Sequence, residues 1–435
     1  LVFQDVSRDT ILTFDPEILP GIKDLPDYLA DYPERKKELE KEDKARPVNY
    51  STVKWNDSGT HAIFSIYSQD RKDRWILVFD ADKLEFKVAD RQRDEAWVGG
   101  PGVFSYAQVL DWIDNTTFYF QSEKTGYSHL YTYNLKDNKT ARLTAGDYEV
   151  QSVSLSKDKK HFYITTNEEH PGITHYYKLQ ISNKSKTQLT QDRGGHQVFV
   201  SPNEKALAIL HSTSNSPWEL YVKTNSPKAK MQQITHSTTE AFKAYDWREP
   251  EMISFKNRHG NEIYARVYTP EVKHKNRLAV VFVHGAGYLQ NVHYWWSTYN
   301  REYMFHNMLA DMGYVVIDID YTASKGYGRD MRTGIYRHMG GTDLTDQVDG
   351  VKYLVENYNV NPEQVGIYGG SYGGFITLMA LFTEAEVFKS GAALRSVTDW
   401  AHYNHGYTSN ILNLPYEDPI AYERSSPIYF ADGLK

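Results

Sequence analysis

The chain has 435 residues and a mildly acidic net charge of −7, which argues against a nucleic-acid-binding protein, since such a protein would show a basic stripe. Its length exceeds the roughly 300 residues that a single core can serve, so we expect two domains. It contains no cysteine, no histidine or carboxylate cluster with ligand spacing and no apolar run of about 18 residues, so we expect no metal, no cofactor and no membrane span.

Residues 1–47 are predicted to form a charged helical or linker segment. Glu34 to Lys44 is a run of both charge signs. Opposite charges three or four residues apart stabilise a solvated helix. A partner-binding arm is the alternative for this segment.

Residues 48–247 contain a repeat that predicts β-propeller blades. Each unit begins with a turn that precedes an alternating strand: Trp55–Gly59, Trp112–Asn115, Ser156–Lys159 and Ser201–Glu204. Three units close on Leu-Thr or Ile-Thr pairs that start at Leu143, Leu189 and Ile234, at intervals of 46 and 45 residues. A period near 45 with four strands per unit is typical of a propeller blade. About four blades are visible, and we expect earlier blades upstream of Leu1.

Residues 248–435 are predicted to form an α/β-hydrolase domain. Met252–Phe255 and Ile263–Tyr268 predict an opening hairpin. Leu278–Val283 and Tyr314–Ile319 are apolar without alternation, and helical segments follow them. Strands of this kind lie in a parallel sheet that helices cover on both faces.

The stretch Gly366–Phe375 joins a predicted strand to a predicted helix through a glycine-rich corner. Gly369–Gly373 fits G-x-S-x-G, the nucleophile elbow, which holds a serine in a strained backbone with its hydroxyl exposed. A Cβ atom at the flanking positions would collide with the strand or the helix, which explains the glycines. We therefore predict that Ser371 is a catalytic nucleophile; a merely tight turn is the alternative.

An oxyanion hole is predicted from two segments. The N–H of Tyr372 lies at the start of the helix, where free N–H groups can stabilise a developing negative charge. The loop His284-Gly-Ala-Gly follows an early buried strand, and we expect the Gly285 backbone or the His284 side chain to supply the second donor. A simple strand-exit turn is the alternative for this loop.

The acid and base of a triad should follow the serine on later strands, in the order acid and then histidine. Asp399, His402 and His405 lie within seven residues, directly after the predicted strand Ser390–Leu394. They cannot occupy the ends of two separate strands, so we expect pocket or structural roles for them. We expect the catalytic Asp and His beyond Lys435, a hydrolase domain truncated at its C-terminal end, and an insoluble or associated, inactive 435-residue fragment.

These motifs resemble the prolyl oligopeptidase family of serine peptidases over about residues 50–435. The elbow G-G-S-Y-G-G-F and the segment D-W-A-H-Y-N-H-G-Y, Asp399–Tyr407, are similar to the dipeptidyl peptidase IV branch. The resemblance implies an aromatic box that receives a proline ring, because flat apolar walls suit a rigid ring. The box residues would be Tyr372, Trp400, Tyr403 and Tyr407. Core aromatics on a helix are the alternative.

The chain departs from that branch at two places. His284 stands where the branch supplies a tyrosine hydroxyl to the oxyanion. The paired glutamates that hold a substrate's amino terminus in the branch belong to an earlier part of the propeller than Glu168-Glu169. We interpret this pair as part of a blade hairpin, with an amino-terminal anchor as the minor alternative.

The predicted function is a serine peptidase that hydrolyses short peptides after proline or a small residue through an acyl-enzyme. An acylaminoacyl peptidase or esterase of the same fold is one alternative. A catalytically silent propeller-hydrolase binding protein is another, because a fold alone does not imply activity. The expected partner is a short peptide, with a homodimer as a candidate assembly and a secreted or periplasmic location favoured over a cytoplasmic one.

Overall fold

The computed structural model describes residues 1–6, 8–103, 107–271 and 277–435. The chain divides into two compact units. The first comprises Leu1–Phe162 and Gln180–Lys184, and the second comprises Tyr163–Leu179 and Ser185–Lys435. The boundary predicted between residues 247 and 248 is a different division, and it stays a proposal.

The N-terminal segment begins with an antiparallel pair, β1 (Val2–Asp5) and β2 (Thr10–Thr13). The predicted charged run forms α1 (Pro33–Glu42), which buries none of its residues. Proline is well tolerated at a first helical position, and Asp43 ends the helix with a left-handed φ of 44°. The helix is therefore solvated along its length, as its charge pattern predicts.

Four antiparallel sheets follow, which confirms the predicted blades. The first contains β3 (Val48–Tyr50), β4 (Lys54–Trp55), β5 (His61–Ser68), β6 (Asp73–Asp80) and β7 (Glu85–Arg93). The second contains β8 (Leu110–Trp112), β9 (Thr117–Ser122), β10 (His129–Asn134) and β11 (Lys139–Arg142). The third contains β12 (Val150–Leu155), β13 (His161–Thr166), β14 (His175–Gln180) and β15 (Lys186–Gln188). The fourth contains β16 (Gly195–Val200), β17 (Ala206–Thr213), β18 (Ser216–Thr224) and β19 (Gln232–Gln233).

The closing pair of the repeat has the same structural role in three sheets. Its threonine hydroxyl accepts a hydrogen bond from a backbone N–H on the third strand of the sheet. The bonds join Leu130 to Thr144, Tyr176 to Thr190 and Leu220 to Thr235, at 3.0, 2.9 and 2.8 Å. The recurring threonine therefore ties the end of the sheet to its third strand.

The hydrolase sheet has six strands in the order β20-β21-β23-β22-β24-β25. Their bounds are β20 (Glu251–Lys256), β21 (Glu262–Tyr268), β22 (Arg277–Val283), β23 (Val315–Asp320), β24 (Val360–Gly370) and β25 (Ser390–Leu394). The hairpin is antiparallel as predicted, and β22 pairs in parallel with both β23 and β24. The central strands are the apolar ones, so they lie in the core, while β25 is an exposed edge strand.

Helices precede, connect and follow these strands. They are α2 (Glu240–Lys243), α3 (Asn300–Asp311), α4 (Arg329–Thr333), α5 (Thr342–Tyr358), α6 (Tyr372–Thr383), α7 (His405–Leu412) and α8 (Pro419–Ser425), with short 3-10 helices at Pro16–Ile18, Asp27–Asp31, Trp400–His402, Pro427–Tyr429 and Ala431–Gly433. Both α5 and α6 pack on β24. Within the described ranges, no helix is long and apolar enough to cross a membrane. The carboxyl ends of β22 and β24 meet at one edge of the sheet, where the candidate site lies.

Candidate active site

Ser371 lies between β24 and α6 in an unusual backbone conformation. Its φ is 59° and its ψ is −116°, a combination that costs a residue with a side chain about 1 to 3 kcal/mol. Two hydrogen bonds hold it there. The Ser371 N–H donates to the Leu394 carbonyl at 3.0 Å, and the Ser371 carbonyl accepts from Phe375 N–H at 2.9 Å. The geometry is that of the strained elbow that the sequence predicts.

The elbow glycines are required by close backbone approach. A Cβ atom on Gly373 would lie 2.0 Å from the Val283 carbonyl oxygen, and one on Gly369 would lie 2.5 Å from the same oxygen. A Cβ atom on Gly374 would lie 2.5 Å from the Leu394 carbonyl oxygen. No side chain fits at these distances, so strand and helix can meet this closely only through glycine.

Tyr372 is the first residue of α6, and its backbone N–H adjoins Ser371. The N–H groups of a first helical turn have no acceptor within the helix, and the helix dipole makes this end positive. This end of α6 adjoins Ser371, and the role of the Tyr372 N–H as an oxyanion donor stays a prediction.

The His284 ring is buried and hydrogen-bonded inside the domain. Its Nδ1 lies 3.0 Å from the Gly285 carbonyl oxygen, and its Nε2 lies 3.1 Å from the Ser324 hydroxyl. The ring also stacks on Tyr321, with centroids 4.4 Å apart. Both ring nitrogens thus have partners in the interior, and the oxyanion role of the His284 side chain stays a prediction.

The Gly285 N–H also has a partner, the hydroxyl of Tyr299 at 2.7 Å. A Cβ atom on Gly285 would lie 3.0 Å from this hydroxyl and 3.7 Å from the Ser371 Cβ, so the hydroxyl lies in the neighbourhood of the serine. Burial raises the pKa of Tyr299, which keeps the hydroxyl protonated at neutral pH. The sequence predicts Gly285 or His284 as the second oxyanion donor, and in the structure the Tyr299 hydroxyl lies beside Gly285.

The four residues of the predicted aromatic box lie together. The Trp400 ring centroid lies 5.8 Å from that of Tyr372, 5.4 Å from that of Tyr403 and 6.1 Å from that of Tyr407. Trp400 is 1% exposed, whereas Tyr403 is 44% exposed. We call Trp400 the floor of the box and Tyr403 its rim, because the first side chain is buried and the second is exposed.

Asp343, at the start of α5, is a site residue without a clear sequence signal. Its Oδ2 accepts hydrogen bonds from the Tyr372 hydroxyl at 2.5 Å and from the Gly340 N–H at 3.0 Å. Burial raises the pKa of Asp343 to about 6, although both hydrogen bonds act in the opposite direction. An acidic residue in a first helical turn is common for dipole reasons, so the sequence alone does not mark this aspartate.

Asp399, His402 and His405 have local partners. His402 Nδ1 lies 2.8 Å from Asp399 Oδ2, and the His402 side chain is 85% exposed. His405 Nε2 lies 3.2 Å from the Ala401 carbonyl oxygen. Within the part of the chain that the structure describes, no hydrogen bond joins a histidine to the Ser371 hydroxyl. The acid and base of the triad therefore remain a prediction.

The glutamate pair of the third sheet is also bonded locally. Glu168 pairs with Lys186, and Glu169 Oε2 lies 3.0 Å from His175 Nε2. These contacts are those of a blade hairpin, and the minor alternative of an amino-terminal anchor stays a prediction. Among residues 1–6, 8–103, 107–271 and 277–435, no group of three or more His, Asp or Glu side chains is placed to hold a metal ion.

The fold is that of an α/β-hydrolase domain preceded in the chain by antiparallel blades, and Ser371 lies at a strained elbow between β24 and α6. Residues 296–435 match the Prolyl oligopeptidase family, and residues 34–218 match the Dipeptidyl peptidase IV (DPP IV) N-terminal region. The chain is therefore similar to the prolyl oligopeptidase family, and within it to the dipeptidyl peptidase IV-like branch.

Individual relatives agree with this assignment. Dipeptidyl peptidase 8 of Mus musculus is 28% identical over 408 residues, which cover 83% of this chain and 44% of the relative. A probable dipeptidyl peptidase 4 of Arthroderma benhamiae is 24% identical, with 88% of this chain and 50% of the relative covered. The crystal structure of Porphyromonas gingivalis dipeptidyl peptidase 4 has the same fold, with a TM-score of 0.77 at 23% identity, and the match covers 90% of this chain and 56% of that one. The chain spans about half the length of the relatives that it matches.

Proposed function

We propose that this protein is a serine peptidase that hydrolyses short peptides after proline or a small residue. The observation that carries the proposal is the strained backbone of Ser371 between β24 and α6, next to a helix N-terminus and beside an aromatic box. An elbow of this kind exposes a nucleophile at a point where charge can be stabilised. The names of the relatives support a peptide as the substrate.

In the proposed reaction the Ser371 hydroxyl attacks a peptide carbonyl carbon. The oxygen of that carbonyl becomes negative and accepts hydrogen bonds from the Tyr372 N–H and the Tyr299 hydroxyl. The amine leaves with a proton, and water then hydrolyses the acyl-enzyme and restores the serine. A base must accept the Ser371 proton, and we assign this task to a histidine that follows Ser371 in the order of the fold.

The aromatic box accounts for the proposed preference for proline. A proline ring is apolar and rigid, so stacking against Trp400 and the rings of Tyr403 and Tyr407 requires little ordering of the ligand. The closed floor at Trp400 limits the depth of the pocket, which favours a small side chain where proline is absent.

A labelling experiment tests the proposed function. A fluorophosphonate should label the wild-type protein at Ser371 and should not label Ser371→Ala. Chromogenic dipeptides that end in proline should then be hydrolysed faster than short acyl esters. A protein that hydrolyses only the esters would be an esterase, and a protein that is neither labelled nor active would be a binding protein.

A further inference from the structure

A buried link joins the start of α5 to the start of α6. Its members are the Asp343 carboxylate and the Tyr372 hydroxyl, whose oxygens lie 2.5 Å apart. Asp343 is fully buried and Tyr372 is 2% exposed, so water does not compete for this bond. The same carboxylate oxygen accepts the Gly340 N–H, which ties the loop before α5 to the link.

Tyr372 contributes to the proposed site in two ways, through its backbone N–H and through its ring. The ring stacks on Tyr321 with an interplanar angle of 6° and centroids 5.9 Å apart. It also contacts Trp400, the floor of the box. Ring faces can slide or turn over one another at little cost, whereas a hydrogen bond at the hydroxyl fixes the far end of the ring in one direction. The hydroxyl bond therefore sets the orientation of this wall.

We propose that Asp343 is a positioning residue that holds the Tyr372 ring against Trp400 and so sets the shape of the proline pocket. The proposal rests on the proposed function and adds a residue to it. Asp343 acts through Tyr372 and does not touch the substrate.

The charge state of Asp343 should control the strength of its hydrogen bond with the Tyr372 hydroxyl. The titratable groups that face it are Tyr372 from α6, Tyr321 after β23, Tyr407 from α7 and Asp346 on its own helix. The tyrosines are neutral near pH 6, and burial raises the pKa of Asp343 to about 6. A carboxylate accepts a stronger hydrogen bond from a phenol O–H than a carboxylic acid does. The link should therefore weaken as the pH falls through about 6.

Asp346 provides a matched control one helical turn away. It is also a buried aspartate of α5, and its Oδ2 accepts hydrogen bonds from the Thr322 backbone N–H and hydroxyl, both at 2.7 Å. Its Oδ1 accepts from Asn257 at 2.8 Å. Its partners lie on other elements than Tyr372, so its replacement should disturb the fold without reorienting the box.

The test measures binding of the dipeptide Ala-Pro by calorimetry from pH 5 to pH 8, together with hydrolysis of a proline-ended chromogenic peptide. Asp343→Ala and Tyr372→Phe should each weaken Ala-Pro binding about tenfold at pH 7.5, the scale of one hydrogen bond to a charged group. The double variant should bind no worse than either single variant, because both changes remove the same link. Asp343→Asn should lose the decline in wild-type affinity below pH 6, whereas Asp346→Asn should keep it.

Three results would overturn the positioning role: multiplicative losses in the double variant, an equal loss in Asp346→Asn, or an unchanged pH profile in Asp343→Asn. If Asp343→Ala fails to fold, the comparison of Asp343→Asn with Tyr372→Phe decides the question. Failure of the proposed function is visible separately. A wild-type protein that binds Ala-Pro with the expected dependence on Asp343 but hydrolyses no peptide contradicts the peptidase and supports the positioning role.

Discussion

The aromatic box and the loop after β22 both adjoin Ser371, yet they relate differently to their sequences. The box residues after β25 lie together with Tyr372 as their types and spacing predict. The loop is different, because His284 is bonded to Ser324 and the Gly285 N–H is bonded to Tyr299. The aromatic box has the contacts that its sequence predicts, whereas the polar groups of the loop after β22 have partners that its sequence does not predict.

The difference arises from the kind of interaction in each region. Large aromatic rings bury area wherever they meet, so a close set of them forms a cluster through many alternative contacts. A hydrogen-bond donor at an oxyanion must remain unused by the protein until the substrate arrives. His284 finds acceptors in the interior, and this competition depends on residues that are distant in the sequence.

The largest expected effect comes from Ser371→Ala, because both regions matter to catalysis only if this serine is the nucleophile. In the full-length protein, we expect hydrolysis of a proline-ended chromogenic peptide to fall below a few per cent of wild type, with unchanged circular dichroism. The side chain is half-buried and contributes little packing, so the fold should persist. Turnover above that level would show that Ser371 is not the nucleophile, and the box and the loop after β22 would then have no common role in catalysis.

The loop is tested by Tyr299→Phe beside His284→Gln. Loss of one oxyanion donor lowers kcat by about 100- to 1000-fold, so we expect that loss for Tyr299→Phe with little change in KM. His284→Gln should keep most of its activity and lose about 1 to 3 kcal/mol in the free energy of unfolding, since it disturbs buried hydrogen bonds. The measurements are steady-state kinetics and denaturant unfolding. The reverse pattern would return the donor role to His284.

The box is tested by Tyr403→Ala, which removes part of its open rim. We expect kcat/KM for proline-ended peptides to fall by an amount equivalent to about 1 to 3 kcal/mol, with a smaller fall for an acetate ester. Tyr416→Ala is the control, because this tyrosine is 75% exposed and lies outside the box. Equal losses on both substrates would indicate general damage instead of a lost pocket wall.

The smallest expected effect is on the pH dependence of the free energy of unfolding, and it concerns Asp343, which holds the Tyr372 ring of the box. The pKa of Asp343 is raised to about 6 in the folded protein, so between about pH 4 and pH 6 the folded state binds more protons than the unfolded state. The contribution of Asp343 to the free energy of unfolding therefore falls as pH rises through this window. Asp343→Asn should lack that fall. The free energy of unfolding of the variant minus that of wild type should therefore be about 1 to 2 kcal/mol larger at pH 7.5 than at pH 4. Urea unfolding at the two pH values measures it, and parallel profiles for wild type and variant would contradict the assignment.

Much of the fold follows from local patterns in the sequence. The blades repeat one turn and one closing threonine, so each copy reinforces the interpretation of the others. The elbow is recognised from the adjacent residues Gly369–Gly373, although the atom that Gly373 approaches most closely, the Val283 carbonyl oxygen, belongs to β22. These features could be predicted since a few adjacent residues determine them.

Tyr299 and Asp343 could not be predicted in this way. The Gly285 N–H and the Tyr299 hydroxyl are separated by 14 residues, and Asp343 and Tyr372 by 29. The first pair closes a long loop between β22 and α3, and the second joins α5 to α6, so both contacts depend on the folded path of the chain. A tyrosine among many aromatics and an aspartate at a helix start have ordinary structural uses, so their residue types alone do not indicate a site.

The clash distances at the elbow also determine how the site could be diversified by directed evolution. Gly369 and Gly373 both face the Val283 carbonyl oxygen at distances that no side chain can adopt. A randomised library that includes their codons would consist mainly of clones that cannot close the corner, whatever their other changes. Holding these two codons constant and randomising Tyr403 and Tyr407 instead would direct the screen to the part of the pocket that can still change shape.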